Sequence, residues 1–262
     1  MTDNTTPKKP LILVVNDDGI TAPGIRALIK FVKPFGELVV VAPNQSMSGM
    51  GHAITLNSTL RLNEHNGGEG IVEYSCSGTP VDCVKFGAKL IGARTFDLIV
   101  SGINHGSNSS IKVIYSGTMS AAIEGAIEGI PAIGFSLCNH ALDADFSGCE
   151  WVVKKLVAEA LNNPMKGFCL NVNIPKLPEE EMKGIKICRQ AKAMWKEDFA
   201  ERTDPNGQKY FWLTGTFVNQ DEGTDTDVWA LENNYVSVVP VKMDLTHYEA
   251  IDELKSWEDG NA

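Results

Sequence analysis

The chain has 262 residues, of which 43% are apolar and 21% charged; this is ordinary globular usage, which excludes a disordered or fibrous protein and allows one large domain or two small ones. Its 23 basic and 33 acidic side chains leave a formal charge of −10. A protein that negative lacks the electrostatic footprint of a general nucleic-acid or membrane binder, so no stable nucleic-acid binding is expected, while a bound cation becomes attractive wherever an anionic substrate must sit.

Met1–Pro10 is polar, carries Lys8 and Lys9 and has no apolar stretch behind it, so it does not read as a targeting segment. No run approaches the ~18 apolar residues of a membrane span. The cysteines Cys76, Cys83, Cys138, Cys149, Cys169 and Cys188 form no CxxC pair and read as buried free thiols of a cytoplasmic protein.

In chain order, Leu11–Val15 is a buried strand, followed by a turn at Asn16–Gly19. A helix begins near Ala22, with Pro23 in its first turn and Ile25, Leu28, Ile29 and Val32 on one face. Leu38–Val41 is the next strand, and Asn44–His52 is a Gly-containing loop. Ala53–Leu62 and Ile71–Cys76 read as two strands around a turn at Asn66–Gly70. Thr79 caps a helix with Pro80 first and Asp82 in its first turn, running to about Ile91. Leu98–Val100 is a strand, and Gly102–Tyr115 is a long polar loop. A helix of small residues spans about Gly117–Glu128, Ala132–Phe135 is a strand, Trp151–Leu161 is a helix and Leu170–Ile174 is a strand.

Apolar strands alternating with helices predict an α/β fold: a Rossmann-like, mostly parallel sheet with helices on both faces and an inserted β-hairpin. The chain reads as a single domain over 1–262, with a core of about 11–175 and a carboxyl-terminal extension of about 176–262. The extension holds an acidic run at Glu179–Glu181, a strand at Ile185–Ile187, an aromatic segment at Tyr210–Trp212, an acidic turn-rich stretch at Asp221–Asp227, a strand at Tyr235–Val241 and a helix near Tyr248–Leu254. It lacks clean alternation and reads as a packed extension available for assembly.

Four features follow strand ends or open a helix: Asn16-Asp17-Asp18-Gly19, Ser46–His52, Ser101–Gly106 and Tyr115-Ser116-Gly117-Thr118. In open parallel sheets ligands bind beyond the carboxyl ends of the strands, so all four are expected on one rim. Each alone has an ordinary explanation as a turn, an N-cap or a surface loop; their convergence is the functional argument. Two adjacent carboxylates repel, and a divalent cation relieves the repulsion. Ser48 and Asn104 can add neutral oxygens to Asp17 and Asp18, an all-oxygen set that suits one Mg²⁺ or Mn²⁺. Zinc is disfavoured, since no His or Cys pair has ligand spacing. Ser116, Gly117 and Thr118 at a helix start offer free amides and hydroxyls to an anion. His52 and His105 lie near this rim.

The Walker A pattern, G-x-G-x-x-G and G-x-S-x-G are absent, which counts against a P-loop ATPase, a dinucleotide dehydrogenase and an α/β-hydrolase.

On these residues the chain resembles the SurE family of metal-dependent nucleotidases. The resemblance is carried by ILVVNDDGITAPGIRAL (12–28), VVAPNQSMSGMGHAITL (40–56), SGTPVDCVKFG (77–87), DLIVSGINHGSN (97–108) and YSGTMSAAIEGAIEGIPAIGFS (115–136), with weaker likeness at 210–215, 226–241 and Asp244. It implies phosphate release from nucleoside 5′- and 3′-monophosphates, possible use of short polyphosphate, and a homodimer or homotetramer built through the extension. It places one metal on Asp17, Asp18, Ser48 and Asn104, and phosphate on Ser116, Gly117, Thr118 and the Asn104 amide. Ser46-Met47 depart from the charged residues expected before the ligand serine.

Metal-assisted phosphomonoester hydrolysis is therefore the expected reaction, with Asp17, Asp18 and Asn104 as catalytic residues and either His105 or a metal-bound water as the acid. Two rivals remain open at this point: a metal-dependent nucleotide-sugar transferase, and a non-catalytic nucleotide sensor.

Overall fold

A computed structural model of the chain describes residues 9–163 and 167–258; stretch 1–8, part of the segment read above for targeting, lies outside the described residues. The first strand, β1 (Leu11–Val15), is buried at every position, as befits an uninterrupted apolar run inside a sheet covered on both faces. It pairs in parallel with β2 (Glu37–Pro43) on one side and β5 (Leu98–His105) on the other. Beyond β2 lies β4 (Ile71–Cys76), also parallel; beyond β5 follow β6 (Ala132–Leu137) and β7 (Cys169–Ile174), again parallel.

Helices α1 (Pro23–Val32) and α4 (Glu150–Asn162) cover one face, burying Ile25, Leu28, Val153 and Val157 with Ile12, Val14 and Val100. Helices α2 (Pro80–Leu90) and α3 (Gly117–Ile127) cover the other, over Leu13, Val15 and Ile99. The α/β, Rossmann-like expectation holds. The Thr79 cap forms as predicted, and as a full capping box: the Thr79 hydroxyl accepts from the Asp82 amide, and the Asp82 carboxylate from the Thr79 amide. The small residues of α3 serve a close approach, for a Cβ at Gly125 would stand 2.6 Å from Ile99 Cδ1.

Three stretches differ from the sequence reading. The hairpin's first strand is β3 (Leu62–His65), antiparallel to β4, and residues 53–61 are not a strand. Their backbone and side chains are claimed elsewhere: Thr55 donates to Asp82 through its amide (3.2 Å) and hydroxyl (2.6 Å), and Ala53 carbonyl accepts from Thr79 Oγ1 (2.7 Å). The expected loop 102–115 begins as strand, since β5 runs through a register shift between Ser101 and Asn104 to His105, and residues 110–115 form a 3-10 turn. Asn108, Ser109 and Ser110 within it are buried rather than solvated. Asn108 donates its amide to Asn173 Oδ1 (2.7 Å) and its side chain to Ser136 Oγ (2.8 Å).

The extension is stitched into the same sheet. After β8 (Ile185–Ile187) comes a separate two-stranded ribbon of β9 (Ala193–Thr203) and β10 (Lys209–Asn219), which contains the aromatic segment 210–212. Then α5 (Asp227–Glu232) leads into β11 (Val236–Val241), antiparallel to β7 and parallel to β8; α6 (Tyr248–Leu254) follows. The full sheet has nine strands in the order β3-β4-β2-β1-β5-β6-β7-β11-β8. All six cysteines are free. Among the described residues no helix is long and apolar enough to cross a membrane.

Candidate metal and phosphate site

The chain leaves β1 toward β2 on one side and reaches β5 on the other, so the strand order reverses between β1 and β5. Such a switch point opens a crevice at the carboxyl ends of the strands. Asp17 and Asp18 sit just past β1, Ser48 in the loop after β2, and Asn104 in the last turn of β5. Because these strands are parallel, all four residues lie on one rim, and α3 starts there with Ser116 as its N-cap.

The turn after β1 is closed by Asn16, whose side chain donates to Gly19 carbonyl (2.9 Å) and accepts the Gly19 amide (3.3 Å). Gly19 has φ +105°, a backbone that side-chain-bearing residues rarely adopt. This turn sends the Asp17 side chain inward, where it is 3% exposed. The Thr118 hydroxyl donates to Asp17 Oδ1. Gly117 makes room for the carboxylate, since a Cβ there would fall 2.6 Å from Asp17 Cβ. Burial pushes the Asp17 carboxyl from 3.8 up to about 6; the Thr118 hydroxyl opposes the rise and neighbouring Asp18 adds to it. Burial raises Asp18 as well, against the pull of nearby His105 with its backbone amide and of the Ser48 hydroxyl.

Ser48 Oγ stands 3.5 Å from Asp18 Oδ1. Its loop is tied to the site at both ends: the Met47 amide donates to Asp17 carbonyl (2.7 Å), and the Gly51 amide to Tyr115 carbonyl (3.2 Å). Asn104 spends its amide nitrogen on Gly106 carbonyl (2.8 Å), which leaves the amide oxygen available. His105 donates Nδ1 to Ala141 carbonyl (3.1 Å) and packs edge-on against Phe146.

The start of α3 presents hydrogen-bond donors to the rim. Ser116 Oγ accepts from the Met119 amide (3.0 Å), so its own proton is free to be donated. The first amides of a helix have no partner within it; Gly117 supplies one here, while the Thr118 amide faces the Asp17 carboxylate. Thr118 differs from the sequence reading: its hydroxyl and its amide are both directed to Asp17. One further group went unnoticed in the sequence. Glu124, on the second turn of α3, is buried beside His52 and Lys85; a single carboxylate among the small and apolar residues of α3 was its signal.

The residues fit a divalent cation. Asp17 is a buried carboxylate with only a neutral donor, and none of the ion pairs among the described residues involves Asp17 or Asp18. Asp17 kept this way lacks positive charge, and Asp18, half-buried, has only the pull of His105. Among the described residues no three His, Cys, Asp or Glu side chains gather as a metal cluster, so the donor set is two carboxylates completed by neutral oxygens. Such a set suits a hard cation.

The family model described as "Survival protein SurE" matches residues 12–197. The chain belongs to the SurE family. Among curated relatives, the 5′-nucleotidase SurE of Flavobacterium psychrophilum is 59% identical over 252 residues, covering 95% of this chain and 98% of that protein. The 5′-nucleotidase SurE of Christiangramia forsetii is 60% identical over 253 residues, covering 95% and 97%. The solved SurE protein of Aquifex aeolicus superposes with a TM-score of 0.82 at 39% identity, covering 95% of this chain and all of that one. The SurE match spans β1 through the start of β9, and so includes all of the rim described above.

Proposed function

We propose that this SurE chain is a nucleotidase, a phosphomonoesterase that releases phosphate from nucleoside 5′-monophosphates. The reading extends to 3′-monophosphates and short polyphosphate at the same site. One observation carries it: a buried carboxylate with no cationic partner, Asp17, and the half-buried Asp18 beside it lie against the first turn of a helix that offers the Ser116 hydroxyl and the Gly117 amide to an anion. The names of the SurE relatives support the nucleotide as substrate.

Asp17, Asp18, Ser48 and Asn104 would hold one Mg²⁺ or Mn²⁺, which when bound supplies charge neutralisation and a more acidic water. Ser116 and the amide of Gly117, with the Thr118 amide shared with Asp17, bind the phosphate oxygens and favour the charge that develops on them. Thr118 fixes Asp17 through its hydroxyl, so the carboxylate keeps one orientation while substrate exchanges. Asp17 and Asp18 are the available proton acceptors at this rim; His105, with Nδ1–H committed to Ala141 carbonyl, would donate to the leaving group from Nε2 only as the imidazolium.

The β9–β10 ribbon exposes Phe199, Phe211, Trp212 and Leu213, more apolar surface than a free ribbon tolerates. A second copy covers it in a homodimer or homotetramer, with the chain acting as a single functional domain. Six free thiols suit a reducing, cytoplasmic setting.

The test is phosphate release from a panel of 5′- and 3′-mononucleotides and tripolyphosphate, with and without chelator, across divalent ions. Phosphate that requires Mg²⁺ or Mn²⁺ is expected. Saturable nucleotide binding without phosphate would favour a sensor. Transfer of a sugar from a nucleotide-sugar, leaving nucleoside diphosphate, would favour a transferase.

A further inference from the structure

The loop that carries Ser48 is largely exposed, yet its oxygen must hold one position to serve at the rim. Its stem is anchored by an interaction that the reaction itself does not use. His52 Nε2 donates to Glu124 Oε2 at 2.9 Å, and the Glu124 side chain is 5% exposed. The other oxygen, Oε1, accepts from Lys85 Nζ of α2. A buried carboxylate with a partner on each oxygen cannot move without leaving a charge unpaired, so it is a fixed point. It lies on α3, the helix whose first turn cradles Asp17. Loop and helix are thereby tied together, His52 to Glu124 and Gly51 to Tyr115.

We propose that His52 is a positioning residue: by docking on the Glu124–Lys85 pair of α3 and α2, it sets the loop stem so that Ser48 Oγ faces Asp18. The proposal rests on the reading of Ser48 as a metal ligand. A rival is that Gly51, Ala53 and Thr55, which have their own hydrogen bonds, hold the stem without help.

The experiment measures Mn²⁺ binding to the substrate-free full-length protein by calorimetry, together with amide exchange over residues 46–51. Wild type is compared with Ser48→Ala, His52→Ala and His52→Gln. His52→Ala is expected to weaken Mn²⁺ binding about tenfold, the range typical of partners that orient a ligand, and to speed exchange of the loop. His52→Gln, whose amide can still donate to Glu124, is expected to restore both to within about threefold. If Ser48→Ala weakens Mn²⁺ binding and His52→Ala does not, the positioning role is overturned while the ligand reading stands. If Ser48→Ala leaves Mn²⁺ binding unchanged, the ligand reading fails. Loop exchange in His52→Ala then decides the docking role alone: faster exchange supports it, and unchanged exchange overturns it. Should His52→Ala not fold, His52→Asn, polar but too short to reach Glu124, carries the same expectation and the same refutation.

Discussion

Replacing Asp17 with Asn separates what this residue does for the site from what it does to the fold. The carboxyl is pushed to about 6 from 3.8, chiefly by burial. The folded value lies above the unfolded one, so the metal-free protein takes up a proton on folding between these two pH values. Its stability therefore falls as pH rises from about 4 to about 6 and is flat above that. A rise of roughly two pH units at 1.36 kcal/mol each places the cost of the ionised form at pH 7 on the order of 3 kcal/mol. Asn keeps the volume and an oxygen to accept the Thr118 hydroxyl, and carries no charge. In chelator at pH 7, Asp17→Asn should thus melt roughly 6–12 °C higher than wild type, at about 2–4 °C per kcal/mol for a chain of this size. The gap should close below about pH 4, where both carry a neutral group. Saturating Mn²⁺ should reverse the order, since it stabilises the protein that binds it, and the variant should be inactive. Thermal melts at pH 4, 5, 6 and 7, with chelator or Mn²⁺, are the assay. An equal or lower melting temperature for the metal-free variant at pH 7, or a gap that ignores pH, would refute the assignment of Asp17 as an uncompensated buried charge.

Asp18→Asn removes a ligand charge with almost no change in volume; kcat/KM at limiting Mn²⁺ should fall about a hundredfold or more, and wild-type turnover would contradict the ligand role. Mn²⁺ affinity should weaken as pH falls below about 6, by up to about tenfold per unit, because the Asp17 proton must leave for the metal to bind; calorimetry at pH 5 and 7 measures this, and a flat profile would exclude Asp17 as a ligand. Gly117→Ala places a methyl 2.6 Å from Asp17 Cβ, so it should cost about 1–3 kcal/mol in stability and most of the activity, read by denaturant melts and phosphate release. Phe211→Ser with Trp212→Ser on the ribbon should shift the assembly toward monomer in light scattering, and an unchanged mass would place the interface elsewhere.

Much of the fold was legible because buried parallel strands and their helices leave unbroken apolar runs and helical spacing. LILVV at β1, the Thr79 cap and the face of α1 all occur where the pattern put them. The rim was legible for the same reason: once β1, β2 and β5 are parallel, residues 17, 18, 48 and 104 must share an edge. What escaped were contacts made across the chain. Residues 53–61 look extended and apolar, but Asp82, Thr79 and Ser77 from distant positions supply their hydrogen bonds. Asn108 and Ser110 look like parts of a solvated loop, yet Asn173, Ser136 and Asp227 satisfy them in the interior. The β9–β10 ribbon is exposed on both faces along most of its length, so it has no alternation to read. Glu124 gave a weak signal because its partners are 39 and 72 residues away.

Ser110 is fully buried; its amide donates to Asp227 at 2.7 Å, and its hydroxyl reaches the carbonyls of Ala191 and Ala193 at 2.9 and 2.7 Å. These partners all come from the last third of the chain, while Ser110 opens the turn that delivers Ser116 to α3. Cutting the chain at residue 175 would expose the β7 flank that β11 now occupies and strand an inward-facing hydroxyl and amide with nothing to bind. The part of the chain that carries the rim is therefore no freestanding module. Its turn before α3 is braced by residues synthesised some eighty to a hundred and twenty positions later, so that corner of the rim can reach its final shape only after the tail of the polypeptide has come home.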